Sequence, residues 1–542
     1  MNVQYCFPAA GTVRTPDGRI AHLYQKASQY IEQACLWEGL FQLACLVTNR
    51  PAEEPVADAI RKAAADTENG AFNGRFAEQI CTARAVFALF EYTADRKLLR
   101  RIADWLRYTE AEFDSLILQD GVLYRPADFM ELLVRFYQAS GARPALRLCA
   151  RLRSDAFDWV TALHTLQQSI PFGQKTVTAF SIPEGKPAEI DFDEREKLIN
   201  HAELIADGVR YSLFAGLFSG HSQDLSAAKT AWTYLARHHC ALCGGTTGNP
   251  FLGGSASDQP VSNSALAAWT EAFAAQMMFP DHSWATDELI RIIYNGLDDC
   301  LNRDRIPPVQ MVNRTGDGDD AAPGSAELYA RIARAAATAF HHAVSLTETG
   351  IRINYPMPGR YMIMEQKQPL ILRMDGKSVS FQCREPLSAV IYLYLSPLGT
   401  CSARVLRDED EPAGIFRESR EGKGTLLRLE TVWDSRIRIL YIPDQQVLTE
   451  NVHHQGQAYI SFYRLMCMPV SENGFAAAAA GEPFRKEEET VILTVPVENW
   501  TIRNGQPGDI PVLPAAAGNP GETVLRQYSA CRSRIAMFPR AR

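Results

Sequence analysis

The residues best suited to chemistry by type and spacing form one short cluster at residues 238–243 (HHCALC). His239, Cys240 and Cys243 are zinc-ligand types, and a Cys-x-x-Cys pair can chelate zinc. No second Cys or His pair follows nearby in sequence to complete a tetrahedral site. The alternative interpretation is that this segment ends a helix and that both cysteines are small buried fillers. We favour the fillers, and expect no metal and no other cofactor.

Bulk properties exclude several classes of protein. The 542 residues exceed what one hydrophobic core usually organises, so we expect two or three domains. A formal net charge of -8 argues against a nucleic-acid surface, which requires a surplus of Lys and Arg. We find neither a signal peptide nor an apolar run of about 18 residues, so we expect no membrane segment and a cytoplasmic location. The 12 scattered cysteines are typical of reduced thiols.

Helical periodicity extends from about Leu23 to Leu346. Short polar connections separate the segments, as expected for neighbouring antiparallel helices. The pattern favours a toroid of helical hairpins, although periodicity alone does not count them. The clearest helical segments are residues 80–90, 97–113, 129–139, 201–218 and 225–236.

The hydrophobic period changes from about 3.6 to 2 within residues 318–361. Ser325 can cap a helix that we expect to end at Gly350, and a strand follows at residues 351–355. Further strands are predicted at residues 370–374, 379–383, 389–395, 425–431, 437–442, 459–465 and 490–495.

These signals predict a multidomain protein of α and β structure. Residues 1–18 form an N-terminal segment that could add an edge strand to the β region. Residues 19–348 form the helical domain, and residues 349–542 form one or two antiparallel β-sandwich modules.

Several short stretches, in order along most of the chain, resemble glycoside hydrolase family 127, the β-L-arabinofuranosidase family formerly described as a domain of unknown function. A helix ending in Tyr-x-Ala-Thr-Gly, a glycine-rich loop, a Tyr-Asn-Gly and a Gly-x-Tyr-Val-Asn-x-Tyr strand have counterparts here. So does the C-terminal β-sandwich. The matching stretches are residues 129–141 (FMELLVRFYQASG), 243–248 (CGGTTG), 294–296 (YNG), 321–333 with 350–358, 433–443 and 527–539.

This resemblance implies an (α/α)6 barrel followed by β-sandwich domains. It also implies a zinc-held cysteine nucleophile, with two further cysteines and a glutamate as zinc ligands, and a second glutamate as general acid/base. Here the adjacent cysteine pair falls on Ala321 and Ala322, and the Glu-x-Cys falls on Ser262 and Ser264. The acid/base position falls near Gly254. Alanine offers no ligand atom, and a serine hydroxyl is a poor zinc ligand beside a thiolate.

The family's sugar-contacting histidines are largely absent as well. One position carries Cys81, another falls near Pro126, and His201 is kept. Helical toroids also host glycosidases that use two carboxyl groups, for which Asp128 and Asp258 are the candidates. The alternative is that these aspartates are ordinary helix-cap or turn residues, and we favour it.

Three hypotheses for function follow. The first is a family-127-like protein that retains a pocket for an arabinose-containing or related sugar but lacks zinc-thiolate catalysis, and so binds sugar or serves as a scaffold. The second is an active hydrolase with relocated carboxylates, in which His201 would take part. The third is a structural subunit that partners an active relative. A homo-oligomer formed through the β-sandwich is also expected.

Overall fold

The computed structural model describes most of the chain up to residue 443 and the backbone of short strands beyond it. The described ranges are 13–166, 181–183, 185–254, 259–279, 282–311, 324–347, 349–365, 368–397, 400–408, 411–412, 415–443, 448–452, 457–462, 464–469, 475–476, 484–487, 490–496, 499–502, 511–512, 520–527, 534–535 and 537–539. Asp258, Ala321 and Ala322 lie outside these ranges.

Helices make up almost all of the regular structure between residues 18 and 341, as the periodicity predicts. All five of the clearest predicted segments lie in helices. The helices are α1 (Gly18–Ala27), α2 (Ala34–Val47), α3 (Pro55–Ala65), α4 (Phe76–Thr93), α5 (Arg96–Ala111), α6 (Phe113–Leu116), α7 (Ala127–Ser140), α8 (Arg143–Asp155), α9 (Trp159–His164), α10 (Phe192–Asn200), α11 (Ala202–Ser219), α12 (Ser222–His238), α13 (Asn263–Gln276), α14 (Ser283–Arg291), α15 (Asp298–Leu301) and α16 (Ala326–His341).

Six of the described helices pack in a cyclic order, which we call the inner ring. Helix α2 contacts α4, and the order continues through α7, α11, α13 and α16 back to α2. Helices α11 and α13 are buried on nearly every side, whereas the amphipathic helices α3 and α5 pack against the ring from outside. The inner ring therefore encloses side chains that face its axis.

Local sequence signals set the ends of these helices. Ser325 caps α16 by accepting a hydrogen bond from the backbone N–H of Leu328 at 3.2 Å, as predicted. Gly141 and Gly220 end α7 and α11 in the left-handed conformation, where a side chain would be strained. Helix α14 continues into a π-helical turn at Ile292–Leu297, which contains the Tyr-Asn-Gly stretch.

The strands lie mainly after residue 343, and every predicted strand segment falls on one or two of them. They are β1 (Val13–Arg14), β2 (Thr67–Glu68), β3 (Ala71–Phe72), β4 (Pro260–Ser262), β5 (Val309–Met311), β6 (Val344–Thr347), β7 (Gly350–Ile353), β8 (Gly359–Glu365), β9 (Gln368–Met374), β10 (Ser378–Cys383), β11 (Leu387–Leu395), β12 (Thr400–Arg407), β13 (Glu411–Pro412), β14 (Ile415–Glu421), β15 (Gly424–Trp433), β16 (Ile437–Pro443), β17 (Leu448–Val452), β18 (Gln457–Phe462), β19 (Arg464–Pro469), β20 (Phe475–Ala476), β21 (Phe484–Glu487), β22 (Thr490–Pro496), β23 (Asn499–Ile502), β24 (Pro511–Val512), β25 (Pro520–Gln527), β26 (Arg534–Ile535) and β27 (Met537–Pro539).

These strands form three large sheets. The first has the order β1-β8-β9-β10-β16-β12-β13 and the second β14-β15-β11-β7-β6. The third runs β17-β18-β19-β25-β22-β21, with β26 and β27 paired at its side, and β20-β23-β24 form a smaller sheet. Phe381 of the first sheet packs on Trp433 of the second, with ring centroids 4.5 Å apart. The chain is thus mixed α and β, with a helical N-terminal part and C-terminal sheets.

Two details differ from the sequence expectation. Strands β7 and β11 pair in parallel, although almost all other pairs are antiparallel. Helix α16 ends at His341 rather than at Gly350, because the alternating residues Val344 and Leu346 pair as β6 with β7.

At the N-terminal end, Val13 and Arg14 pair with Tyr361 and Arg360 at the edge of the first sheet.

A buried carboxyl group joins the helical part to the second sheet. Oδ1 of Asp287 on α14 accepts hydrogen bonds from the hydroxyls of Tyr394 at 2.9 Å and Ser396 at 2.7 Å. Burial raises the pKa of Asp287 to about 6, although both hydrogen bonds act in the opposite direction. Its charge is therefore a cost to the folded state near neutral pH.

We expect Asp287→Asn to stabilise the protein at pH 7.5 by about 1–3 kcal/mol and to change little at pH 4. A group whose pKa is raised on folding contributes stability at low pH and loses it as the pH rises through the folded value. The asparagine oxygen still accepts both hydrogen bonds and has no charge to lose. Urea unfolding at the two pH values measures this, and an equal effect at both would contradict it.

None of the helices in the described residues combines the length and apolar character that crossing a bilayer requires.

Candidate functional site

Buried charges fill the interior of the inner ring. Each of its six helices contributes one charged side chain at the same depth, and the sign alternates around the ring. We call these residues the charge ring: Glu38 (α2), Arg84 (α4), Glu131 (α7), Arg210 (α11), Glu271 (α13) and Arg334 (α16).

Ion pairs close the charge ring. Arg84 contacts Glu38 at 2.7 Å and Glu131 at 3.2 Å. Arg210 contacts Glu131 at 3.1 Å and also pairs with Glu271. Arg334 contacts Glu271 at 3.0 Å and reaches Glu38 at 3.6 Å. Every member thus has an opposite charge on both sides, as buried charges require.

Asp128 lies against all three arginines of the charge ring. It contacts Arg84 and Arg334 at 3.2 Å each and also pairs with Arg210. Burial alone would raise the pKa of Asp128, but Arg334, Arg84 and Arg210 together hold it well below its usual range. Asp128 is therefore a carboxylate at every ordinary pH. It cannot donate a proton to a leaving group, which is one of the two roles that a relocated acid would need.

A cavity of about 80 Å³ adjoins the charge ring on the side of the C-terminal end of α16. Besides the ring members it is lined by Glu91, Arg135 and Thr338, and by His341 and His342 at the C-terminal end of α16. Burial lowers the pKa of His341 to about 3 and that of His342 to about 4, so both imidazoles are neutral. The charge ring thus forms one wall of this cavity.

The candidate site lies at the N-terminal ends of the inner helices. This mouth pocket has a volume of about 220 Å³ and includes residues from the first turns of α11, α13 and α16 and one just before α7. Helix N-termini carry partial positive charge and stabilise carboxylates there. Its polar lining residues are Arg125, His201, Glu203, Ser264, Ser325 and Glu327.

Glu203 is the carboxylate of the mouth pocket that forms ion pairs. It pairs with Arg125 and contacts Arg331 at 2.8 Å. Burial alone would raise the pKa of Glu203, but Arg331 and Arg125 lower it to about 2. Glu327 differs because it is exposed on the rim, with no ion pair or side-chain hydrogen bond in the described part of the chain.

His201 lies in the mouth pocket, as the resemblance implied for a sugar-contacting residue. Its Nδ1 accepts a hydrogen bond from the backbone N–H of Leu204 at 3.4 Å, so the imidazole caps α11. Burial lowers the pKa of His201 to about 4, and the ring is neutral near pH 7. A neutral imidazole can hydrogen-bond a sugar hydroxyl but carries no charge for catalysis.

The two serines at the family's zinc positions lie close together at the start of α13. Ser264 lines the mouth pocket. Ser262 is 8% exposed and caps α13 by accepting a hydrogen bond from the Ala265 N–H at 3.4 Å. The hydroxyl of Ser262 therefore has a structural partner, and Ser264 alone of the pair lines the mouth pocket.

The described residues bring no third metal ligand to the His-Cys cluster. The backbone N–H of Gly254, at the family's acid/base position, donates to Nδ1 of His239 at 3.2 Å. Cys243 is fully buried, and its carbonyl accepts a hydrogen bond from Gly296 at 3.2 Å. Within the described ranges, no three His, Cys, Asp or Glu side chains are placed to hold a metal ion. The interpretation of Cys240 and Cys243 as buried fillers stays a prediction.

Two cysteines lie near the mouth, on α2 and α4. Burial raises the pKa of Cys81 to about 12, and the carboxylate of Asp128 adds to the rise. Burial also raises the pKa of Cys35, with a further contribution from Glu327. Both are thiols rather than thiolates near neutral pH, so neither is prepared for nucleophilic attack.

Sequence reasoning missed the charge ring and the Glu203 pair. A signal was present: single charged residues lie in apolar helical stretches, as Glu38 does in CLWEGLF and Arg84 in ICTARAVFAL. A buried charge needs a partner, so these residues indicate ion pairs, although not which ones.

The comparisons with known proteins agree with this geometry at the level of fold. No family model matches the chain, and no curated protein sequence resembles it significantly. Solved structures, in contrast, are similar to the chain. A glycoside hydrolase superposes with a TM-score of 0.75 at 10% identity, covering 100% of this chain and 98% of that one.

Two further similar structures belong to glycoside hydrolase family 127. The β-L-arabinofuranosidase from Geobacillus stearothermophilus gives a TM-score of 0.67 at 12% identity, covering 97% of this chain and 94% of that one. The β-arabinofuranosidase BT3674 gives 0.65 at 12% identity, covering 100% and 99%. The chain therefore has a fold like that of family 127, as the motifs predicted.

Proposed function

We propose that this protein is a carbohydrate-binding homologue of the family-127 glycosidases that holds a sugar residue in the mouth pocket and lacks zinc-thiolate hydrolysis. The observation that carries the proposal is the mouth pocket itself. It combines hydrogen-bond donors and acceptors, among them ionised Glu203, with the position, at the start of α13, where the resemblance places family site residues.

The pocket's chemistry supports sugar recognition. Arg125 donates hydrogen bonds, ionised Glu203 accepts them, and the hydroxyls of Ser264 and Ser325 do both. The apolar side chains of Ile182 and Leu204 complete the lining. Ligand sites commonly combine an apolar wall with a few fixed polar groups, which matches a ring that has both hydroxyls and C–H faces.

The electrostatics weigh against hydrolysis by the relocated acids considered from sequence. A glycosidase needs one protonated carboxyl group and one carboxylate at the scissile bond. The arginines around Asp128 and Glu203 keep both ionised. The positions of the family's adjacent cysteines are Ala321 and Ala322, which supply no nucleophile. Asp258 remains a sequence-level candidate.

The cyclic order of the inner helices supports the finer architecture of an (α/α)6 barrel. The contact between Phe381 and Trp433 likewise supports a β-sandwich formed by the first two large sheets. Residues 19–348 and 349–542 would then be the barrel and the sandwich region, with residues 13–14 as an added edge strand. Self-association through the sandwich stays a prediction.

One observation favours a second function. Glu327 lines the mouth pocket and, unlike Asp128 and Glu203, pairs with no arginine among the described residues. A working hydrolase would use Glu327 as the acid and Glu203 as the charged partner. Hydrolysis of an aryl arabinoside that Glu327→Gln abolishes would establish this alternative.

Calorimetric titration with L-arabinose and methyl β-L-arabinofuranoside tests the proposal. We expect Ser264→Leu, which fills the pocket, and Glu203→Gln, which removes a charged acceptor, to weaken binding at least tenfold, since a hydrogen bond to a charged group contributes about 1.5–3 kcal/mol. Ser226→Leu on the outer face of α12 is the matched control and should bind normally. Binding that neither pocket substitution alters would overturn the proposed site.

A further inference from the structure

A groove separate from the mouth pocket lies between α2, α3 and α4. It has a volume of about 520 Å³, more than twice that of the mouth pocket. Trp37 lines it beside Ala34 of α2 and the apolar residues Pro55, Ala59 and Ala63 of α3. Its polar lining residues are Glu32, Lys62, Asp66, Asn73, Glu78 and Thr82.

Trp37 is held in place on the groove wall. Its indole N–H donates to the backbone oxygen of Ile31 at 2.6 Å, and the side chain stays partly exposed. A tryptophan whose polar edge is already bonded offers the apolar face of its ring to a ligand. Stacking on such a ring needs no further ordering of the side chain, which favours binding.

Two charged side chains of the groove are also available to bind a ligand. In the described part of the chain, no ion pair or hydrogen bond engages the side chains of Glu32 and Lys62. Asn73 donates to Asp66 at 2.9 Å across the groove wall and retains its amide oxygen as an acceptor. The groove thus combines an aromatic platform with carboxylate, amide and ammonium groups.

The groove and the mouth pocket lie at the same end of the inner ring. Helix α2 separates them, because it packs between α16, which carries Glu327 of the mouth rim, and α4, which carries Glu78 of the groove. A chain of sugar residues leaving the mouth therefore reaches the groove by crossing the first turn of α2.

We propose that the groove between α2, α3 and α4 binds further residues of an oligosaccharide whose terminal residue occupies the mouth pocket, with one sugar ring stacked on Trp37. This rests on the proposed function and narrows its ligand from a single sugar to a short neutral oligosaccharide. The lining combines the carboxylates of Glu32, Asp66 and Glu78 with the ammonium group of Lys62, so the hydroxyl groups of such a chain find both acceptors and donors.

Titration of the full chain with L-arabinose and with arabinotetraose tests the groove. We expect the tetrasaccharide to bind more tightly than the monosaccharide, and Trp37→Ala to weaken only the tetrasaccharide, by about tenfold. Glu32→Gln, an exposed substitution that leaves packing intact, should weaken it severalfold. Glu112→Gln, an exposed carboxylate outside the groove, is the matched control.

The outcomes separate the groove from the mouth. Tetrasaccharide affinity that neither Trp37→Ala nor Glu32→Gln changes, while Ser264→Leu abolishes it, overturns the groove and leaves the mouth pocket standing. Tetrasaccharide affinity that Trp37→Ala weakens but Ser264→Leu leaves unchanged overturns the mouth pocket, and with it the binding of one oligosaccharide across both sites. Absence of binding by the wild-type protein for all arabinose ligands overturns both.

Discussion

Replacing Arg210 by methionine is expected to destabilise the protein by about 3–5 kcal/mol at pH 7. Arg210 is 2% exposed and is the partner of Glu131, Glu271 and Asp128. Methionine fills much of the volume but leaves these carboxylates beside one another in a low-dielectric interior. Urea unfolding followed by circular dichroism measures the change.

The pH dependence distinguishes lost charge pairing from lost packing. Without Arg210 the pKa values of the neighbouring carboxyl groups rise in the folded state. A group with a raised folded pKa gives stability at low pH and loses it as the pH rises, so the penalty should grow from pH 4 to pH 7. Arg107→Met, at an exposed pair with Asp104, is the control and should change stability by about 0.5 kcal/mol or less. A pH-independent penalty at Arg210 would point to packing.

Glu131→Gln is expected to cost about 3 kcal/mol at most at pH 7 and almost nothing at pH 2. Burial alone would raise the pKa of Glu131, but Arg84, Arg210 and Arg135 lower it to about 2, below the ordinary value of 4.5. A carboxyl group with a lowered folded pKa gives stability above its unfolded pKa and loses it as the pH falls through the folded value. The wild type should therefore lose this contribution between about pH 5 and pH 2.

Unfolding free energies of the wild type and of Glu131→Gln, measured across that pH range, check the result. The two curves should converge as the pH falls. Glu53→Gln is the matched control, because Glu53 pairs with Arg50 at 3.2 Å but is 67% exposed. Its curve should follow the wild type throughout. Parallel curves for Glu131→Gln and the wild type would mean that the charge ring does not hold this carboxylate.

The charge ring also bears on the proposed function. It lies about two helical turns beyond the first-turn residues that line the mouth pocket, since Arg210, Glu271 and Arg334 follow Glu203, Ser264 and Glu327 along their helices. Every ring member pairs with residues on both neighbouring helices, so these ion pairs hold the six inner helices to one another. Carboxylates that arginines keep ionised, as at Asp128 and Glu203, suit hydrogen bonding to a neutral ligand better than proton donation.

The sequence alone determined the order of the helical and strand-rich parts, the cap at Ser325 and the fold family. These depend on local signals: the hydrophobic period, side-chain hydrogen bonds to neighbouring backbone groups, and short motifs in a set order. Between His341 and Gly350 the helical signal of α16 competes with the strand signal of β6. There the sequence placed the end of α16 too late, at Gly350. Of the positions that the family motifs singled out, His201 and Ser264 line the mouth pocket, and their roles there stay predictions.

Only the tertiary structure decided which charges meet. Five pairs of the charge ring join residues 46 to 79 positions apart, and the sixth, Arg334 with Glu38, joins residues 296 positions apart (334 − 38), so the ring closes only when the six inner helices pack in cyclic order. The same packing turned Asp128 from a candidate acid into a permanent carboxylate, because three arginines from three helices converge on it. Ionisation depends on distances in space, and helical periodicity carries no information about which faces of distant helices will share an axis.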